Sequence, residues 1–272
     1  MILQVLRQSV TIPLYYNRKI HMKQLLAIGN WKMYQNAAAV GAFLAESTDF
    51  IGKNENIQVI LAPSMVHIPG VIAWKQAHDL PIEIAAQNVA VEADGALTGE
   101  SSARQLQEAG AGYALVGHSE RRQLFGENNA EISKKMTQCA RAGLVPIVCV
   151  GETQEQKAAG NSLFVILEQL AAAFASDVAG WKEQLAEKRC IIAYEPVWAI
   201  GSGVVPTAAE VKEVVAAIKA EWGSEAQVVY GGSVSAENVQ EFTTRAGSDG
   251  VLVGKASTTF DTFQDICKQM IG

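Results

Sequence analysis

The chain has 272 residues, of which 49% are hydrophobic and 18% are charged, so it is long and apolar enough to bury a substantial core in water. Its net charge of −6 comes from scattered acidic and basic residues, which argues against nucleic acid or an anionic membrane as a partner. No apolar run approaches the roughly 20 residues of a membrane-spanning helix, so we expect no membrane partner.

Residues 1–21 precede the first regular pattern and contain Arg7, Arg18 and Lys19 but no acidic residue. They lack the hydrophobic core and the small-residue cleavage site of a secretory signal. We expect this segment to be a loosely attached or disordered extension, or an upstream start choice, although its acid-free composition leaves a targeting role open. Residues 22–272 are expected to form one domain.

From Met22 onward the chain repeats one unit eight times: a short apolar strand, a loop with polar or glycine residues, and an amphipathic helix. The predicted strands are 25–28, 58–61, 82–86, 113–116, 145–150, 190–194, 227–230 and 250–253. Parallel strands require right-handed helical crossovers, so eight successive units predict an α/β fold with a single closed (β/α)8 barrel. An open, doubly wound sheet is the alternative.

The clearest predicted helices are 37–50, 127–142, 163–185, 208–222 and 262–270. Thr207 precedes one of them with Glu210 three positions later, which is the pattern of a capping box. Ser235 followed by Asn238 is a weaker version of the same pattern.

Glu195 stands where an apolar strand gives way to a loop with glycines, Trp198 and Ile200. Barrel enzymes keep catalytic groups at this end of a strand, and a desolvated carboxylate there has a raised proton affinity, as a general base requires. The loop composition is typical of a lid that excludes water. The alternative is a structural glutamate that caps a neighbouring helix.

Two further strand ends carry polar groups. Lys32 is placed to stabilise negative charge on a substrate oxygen, although a solvated or ion-paired lysine fits equally well. His118 precedes Ser119 and Glu120, a good helix start, so the positive end of a helix would favour a neutral imidazole that donates to a carbonyl. The alternative for His118 is a core histidine.

The strands that end in Gly231-Gly232-Ser233 and in Gly254-Lys255 are the seventh and eighth. Phosphate sites in barrels favour these two loops, where backbone N–H groups and the positive ends of following helices meet an anion. Two tight turns without a ligand are the alternative.

The four cysteines and four histidines show neither a CxxC pair nor metal-ligand spacing. We therefore expect reduced, buried thiols and no metal site.

Four segments together resemble the triosephosphate isomerase family: Gly-Asn-Trp-Lys-Met at 29–33, Gly-His-Ser-Glu-Arg-Arg at 117–122, residues 193–203, and Tyr-Gly-Gly-Ser-Val at 230–234. The resemblance runs from about Met22 to the C-terminus and includes residues 86–89, 95–100 and 149–152. It implies a TIM barrel that interconverts dihydroxyacetone phosphate and glyceraldehyde 3-phosphate without a cofactor. The alternatives are another phosphosugar-processing barrel enzyme and a non-catalytic barrel protein.

The resemblance also implies a role for each matching residue. The catalytic residues would be Glu195 as base, His118 as electrophile, and Lys32 and Asn30. The substrate-binding residues would be Asn30, Trp31, Lys32, Gly201, Ser233, Gly254 and Lys255. Glu120 and Ser119 would support them, and residues 196–206 would form the lid.

The family resemblance implies a cytoplasmic homodimer in which the loop at 88–100 enters the neighbouring subunit, with Thr98 as the contact residue. Two departures from the family pattern concern the site. Lys255 replaces the second glycine of the usual Gly-Gly, for which we expect retained activity with altered substrate affinity. Pro206, at the far hinge of the lid, restricts φ and is expected to stiffen lid opening.

Overall fold

The structure of the protein is a computed structural model that describes residues 24–51, 54–176, 180–201 and 203–271. The predicted extension at residues 1–21 lies outside the described residues. Over the described ranges, no helix combines the length and the apolarity that crossing a membrane requires.

Eight parallel strands form a closed barrel in which each strand pairs with the next and the last pairs with the first. The strands are β1 (Leu25–Asn30), β2 (Ile57–Ala62), β3 (Ile82–Ala86), β4 (Tyr113–Val116), β5 (Val145–Val150), β6 (Ile191–Tyr194), β7 (Gln227–Gly232) and β8 (Gly250–Val253). The predicted (β/α)8 barrel is therefore confirmed. The open-sheet alternative is wrong because β1 and β8 are hydrogen-bonded neighbours.

Helices surround the barrel in the described part of the chain. They are α1 (Ala37–Ile51), α2 (Ile68–Ala77), α3 (Ala103–Glu108), α4 (Ser119–Leu124), α5 (Asn129–Ala142), α6 (Gln154–Ala158), α7 (Ser162–Ala173), α8 (Trp181–Ala186), α9 (Ala208–Trp222) and α10 (Phe260–Ile271). Short 3-10 turns lie at Met65–His67, Val197–Ala199 and Lys255–Ser257, and a π-helical turn lies at Glu241–Arg245.

The strands are apolar on both faces because they separate two hydrophobic layers. Side chains such as Ile28, Leu115 and Leu252 fill the barrel interior. Their neighbours along the strands, such as Ala27 and Val116, point outward and pack against the helices. Successive strand residues point to opposite faces, so a strand covered on both sides reads as a continuous apolar run.

One local prediction is wrong and another is confirmed in part. The single helix predicted at 163–185 is interrupted: α7 ends at Ala173, and α8 begins after Gly180, whose φ of 89° is left-handed and incompatible with a continuous right-handed helix. The weaker capping pattern at Ser235 and Asn238 is confirmed in part. The side-chain Oδ1 of Asn238 accepts from the Ser235 N–H at 2.8 Å, and the Ser235 carbonyl oxygen accepts from the Val239 N–H at 3.0 Å, as at the start of a helix. Helical backbone follows at Val239 and Gln240 and continues into the π-helical turn from Glu241.

The capping box at the start of α9 is confirmed. The Thr207 hydroxyl accepts from the Glu210 N–H at 3.2 Å, and the Glu210 carboxylate accepts from the Thr207 N–H at 2.8 Å. This cap fixes the point where the chain leaves the loop after β6 and enters α9.

We predict that Gly250→Ala is far more destabilising than Gly247→Ala, by about 3 kcal/mol against about 1 kcal/mol. A Cβ at Gly250 would lie 2.1 Å from the Leu26 carbonyl oxygen, where β8 pairs with β1. A Cβ at Gly247 would meet no atom within 4 Å, so this variant bears only the cost of its left-handed φ of 75°. Urea unfolding midpoints measure the difference, and equal losses would contradict the prediction.

Candidate active site

The ends of three strands, β1, β4 and β6, bring the predicted catalytic groups to one small cavity of about 30 Å³ at the carboxyl end of the barrel. The lining residues are Asn30, Lys32, His118, Glu195, Ile200, Gly232, Leu252 and Gly254. The carboxylate of Glu195 and the imidazole of His118 therefore lie beside the ammonium of Lys32 and the amide of Asn30, although the three segments are far apart in the chain. This clustering follows from the parallel barrel, since all its strands end at the same rim.

Glu195 follows β6 directly, and only 3% of it is exposed. Its Oε1 lies 3.2 Å from Nε2 of His118, and its Oε2 accepts a hydrogen bond of 3.0 Å from the Ser119 N–H. Gly231 makes room for this side chain, because a Cβ there would lie 2.9 Å from Glu195 Cγ. Two donors therefore orient the buried carboxylate, one on each oxygen.

His118 is the N-cap residue of α4, and its Nδ1 accepts a hydrogen bond of 3.2 Å from the Glu120 N–H. A ring nitrogen that accepts carries no proton, so the single proton of the imidazole is assigned to Nε2. That nitrogen faces Glu195. The hydrogen bonding thus favours a neutral imidazole with its donor aimed into the cavity, as predicted from its place before a helix.

Lys32 has a left-handed backbone with φ of 48°, which is rare for a residue other than glycine. The strained peptide is held at its carbonyl oxygen, which accepts from Ser64 Oγ at 3.0 Å and from Gln87 Nε2 at 2.8 Å. Its Nζ donates to Glu120 Oε1 at 2.5 Å. Backbone strain of this kind clusters at functional sites, where it fixes a side chain in a defined position.

The predicted anion cradle lies beside Lys32. Gly254 lies close to this lysine, since a Cβ added at Gly254 would lie 3.7 Å from Lys32 Nζ. Ser233 follows β7, and its hydroxyl donates to the Ala199 carbonyl oxygen at 3.0 Å. Gly201 has a left-handed φ of 69°.

The expectation that helices directly follow both glycine turns holds only after β7. There the Ser235 carbonyl oxygen accepts from the Val239 N–H, so a helical turn starts two residues after Ser233, whereas the segment after β8 is a three-residue 3-10 turn. Lys255 begins the 3-10 turn, is exposed, and is not among the residues with positive φ. A side chain at this position is therefore compatible with the local backbone.

The start of the segment predicted to form the lid contacts Glu152, a residue for which the sequence suggested no role. Its Oε1 accepts from Trp198 Nε1 at 2.8 Å and from the Tyr194 hydroxyl at 3.3 Å. Burial, followed by the nearby Glu152 carboxylate, raises the pKa of Tyr194. A signal existed, because Glu152 stands just beyond the end of β5 as Glu195 stands beyond the end of β6.

A lysine on α6 links the lid to α9. Lys157 Nζ lies 3.4 Å from the centroid of the Trp198 ring and 2.8 Å from Glu210 Oε1. The hydrogen bond from Lys157, together with that from the Thr207 N–H, lowers the pKa of Glu210 to about 2. The indole of the lid thus rests on a cation that is itself held by the cap of α9.

Other predicted residues lie outside the cavity. The Trp31 side chain is buried in the outer core, with its ring 4.9 Å from that of Phe43, so any substrate contact by Trp31 would come from its backbone. Thr98 is exposed in the loop between β3 and α3. Pro206 is buried next to the N-cap Thr207. The roles of these residues stay predictions.

Cys149 is buried beside the candidate base. Burial, followed by the Glu195 carboxylate, raises the pKa of its thiol well above the usual value. A protonated, buried thiol is a packing group rather than a nucleophile. Within the ranges that the structure describes, no three His, Cys, Asp or Glu side chains are grouped to hold a metal ion.

A sequence model of the family described as Triosephosphate isomerase matches residues 25–270 of the chain. Relatives named Triosephosphate isomerase include one from Rhodopirellula baltica, 39% identical over 258 residues that span 90% of this chain and 97% of the relative. A second, from Synechocystis sp., is 37% identical over 90% of this chain and 98% of the relative.

A solved structure shows the same fold. The crystal structure of triosephosphate isomerase from Bartonella henselae superposes with a TM-score of 0.79 and is 32% identical in sequence. The match covers 92% of this chain and 100% of the Bartonella chain.

Proposed function

The chain belongs to the triosephosphate isomerase family, and from this premise we propose how the residues of its site divide the reaction among them. The protein is a triose-phosphate isomerase, an enzyme that interconverts dihydroxyacetone phosphate and D-glyceraldehyde 3-phosphate in glycolysis and gluconeogenesis. Membership in this family excludes the two alternative functions, that of a different phosphosugar enzyme and that of a non-catalytic barrel protein.

The contact between Glu195 and His118 carries the proposal. In it, a carboxylate oxygen and the N–H of a neutral imidazole lie 3.2 Å apart in a buried cavity. A substrate that enters between them meets a proton acceptor and a hydrogen-bond donor, the two groups that enolisation needs. Glu195 takes the proton from the carbon beside the carbonyl, while His118 Nε2 donates to the carbonyl oxygen. The hydroxyl on the first carbon of the enediol then returns a proton to His118 Nε2, while Glu195 gives its proton to the former carbonyl carbon, so both side chains regain their starting states and the first carbon becomes the carbonyl.

Lys32 stabilises the negative charge that develops on the substrate oxygens. Its ion pair with Glu120 keeps the ammonium in place, and the strained backbone limits the directions in which it points. Asn30 supports this arrangement, because its Oδ1 accepts from the Lys32 N–H at 3.1 Å. The proposed proton transfer uses no cofactor.

The substrate phosphate is bound by the rim formed by Gly201, Ser233, Gly254 and Lys255. Support comes from the glycine-rich ends of β7 and β8 and from the proximity of Gly254 to the Lys32 ammonium. Ser233 also contacts Ala199 in the lid segment, so phosphate binding and lid position are coupled at this residue. The exposed Lys255 adds a positive charge at the rim.

A homodimer is supported by an apolar surface around a large cavity. This cavity of about 610 Å³ extends from Lys32 and Asn30 to Met65, Gln87 and Phe125. Met33 is 94% exposed and Phe125 is 68% exposed at its margin. Exposed apolar side chains around a concave surface mark protein interfaces. The proposed dimer places the 88–100 loop of a second copy in this cavity, with Thr98 as the contact residue.

A cytoplasmic location is supported by the cysteines. All four are free and buried, as is usual for proteins of a reducing compartment.

We predict that Glu195→Gln lowers kcat by about 10³-fold, because the amide keeps the size of the side chain but cannot accept the substrate proton. A coupled assay with glyceraldehyde 3-phosphate measures the loss. Glu213→Gln, an exposed position on α9, is the matched control and should leave kcat unchanged. A Glu195→Gln enzyme with near-native kcat would exclude Glu195 as the base.

We predict that Lys255→Met raises KM for triose phosphate by about 5-fold at low salt and leaves kcat within about 2-fold, since one exposed ion pair is worth up to about 1 kcal/mol. The effect should shrink as salt screens the charge. Lys255→Gly tests the backbone separately, and Lys212→Met on α9 is the control for an exposed lysine. A KM that is unchanged at low salt would remove Lys255 from the binding residues.

Light scattering should give a mass twice that of the 29.1 kDa chain. Phe125→Glu should dissociate the dimer and reduce kcat, because the cavity that it borders also reaches Lys32. Phe164→Glu, on α7 and 71% exposed, is the control and should remain dimeric. A wild-type monomer with full activity would contradict the dimer proposal.

A further inference from the structure

Gly151 lies against the backbone of the base. A Cβ at this position would lie 1.8 Å from the Glu195 carbonyl oxygen, so only glycine fits. On either side of it, the Val150 carbonyl oxygen accepts from the Glu195 N–H at 2.7 Å, and the Glu152 carbonyl oxygen accepts from the Val197 N–H at 3.0 Å. Residues 150–152 therefore form a cradle for residues 195–197.

The cradle extends one residue beyond the sheet. Pairing between β5 and β6 ends at Val150 and Tyr194, so the peptide groups of Gly151 lie past the last paired residues. Gly151 is buried, and a buried N–H or C=O group needs a partner.

Gln169 on α7 supplies both partners. Its Oε1 accepts from the Gly151 N–H at 2.8 Å, and its Nε2 donates to the Gly151 carbonyl oxygen at 3.0 Å. A carboxamide offers one acceptor and one donor, as the backbone of a neighbouring strand would. The Gln169 side chain thus makes the two hydrogen bonds to Gly151 that the backbone of an adjacent strand would otherwise make.

We infer that Gln169 is a positioning residue for the catalytic base. It acts through Gly151, which fixes the backbone from which the Glu195 carboxylate reaches His118 and Ser119. Catalysis depends on sub-ångström placement of such groups, so a small shift of this peptide lowers kcat. The inference rests on the proposed role of Glu195 as the base.

Gln169→Met removes both hydrogen bonds and keeps the length of the side chain. It should lower kcat by about 10- to 100-fold and leave KM within about 3-fold, because phosphate binding lies on other strands. Circular dichroism verifies that the variant is folded. A folded Gln169→Met enzyme with kcat within 2-fold of wild type would overturn the inference.

Gln169→Glu gives a second, independent measurement. A protonated carboxyl group reproduces the acceptor and the donor of the amide, whereas a carboxylate repels the Gly151 carbonyl oxygen. The ratio of kcat for Gln169→Glu to kcat for wild type should therefore fall as pH rises. A flat ratio would contradict the inference even if Gln169→Met failed to fold.

Gln58 provides the matched control. It lies near the start of β2, at the opposite end of the barrel, where its Nε2 donates to the Tyr113 hydroxyl at 2.9 Å. Gln58→Met should leave kcat unchanged, and the ratio for Gln58→Glu should be flat with pH. A Glu195→Gln enzyme that retained activity would contradict the proposal that Glu195 is the base. If Glu195→Gln were inactive but the Gln169 variants behaved like wild type, only the positioning role of Gln169 would be contradicted.

Discussion

The hydrogen bonds between β8 and β1 close the sheet, and the position of every candidate catalytic group depends on that closure. In a closed parallel barrel all strands end at one rim, so Lys32, His118 and Glu195 meet although 163 residues separate the first from the last. The close approach of Gly250 to Leu26 shows how tightly the seam is built. Without closure, the first and last strands would lie at opposite edges, and the proposed phosphate-binding residues at the end of β8 would be separated from the Lys32 ammonium.

Backbone groups, more than side-chain pairs, hold the site in order. The Ser119 N–H orients the Glu195 carboxylate, and the Glu120 N–H selects the tautomer of His118. Lys32 pays for its left-handed conformation, a cost of about 1–3 kcal/mol, through hydrogen bonds from Ser64 and Gln87 to its carbonyl oxygen. Because these groups are fixed by the fold, little reorganisation remains when charge develops on a substrate.

Sequence predicts this architecture well wherever a pattern is local. Apolar strand runs, the Thr207 capping box and polar strand ends are each readable within a few residues, which is why the barrel and its candidate catalytic groups could be predicted. The interruption before α8 depends on the left-handed Gly180, and glycine alone does not reveal its φ. Glu152 had a readable position just beyond β5, but its partners Tyr194 and Trp198 lie more than 40 residues away. Gln169 had no local signal, because its partners are the backbone N–H and C=O groups of Gly151 on another element.

The four buried thiols are spread through different layers of the barrel: Cys149 in β5, Cys190 just before β6, Cys139 in α5 and Cys267 in α10. Each has essentially no exposed surface. A thiol-specific reagent therefore reacts with a given cysteine only when its own layer opens. The labelling rates at the four positions would therefore report the order of unfolding. They would show whether the helices detach before the strands separate or whether the whole molecule unfolds at once.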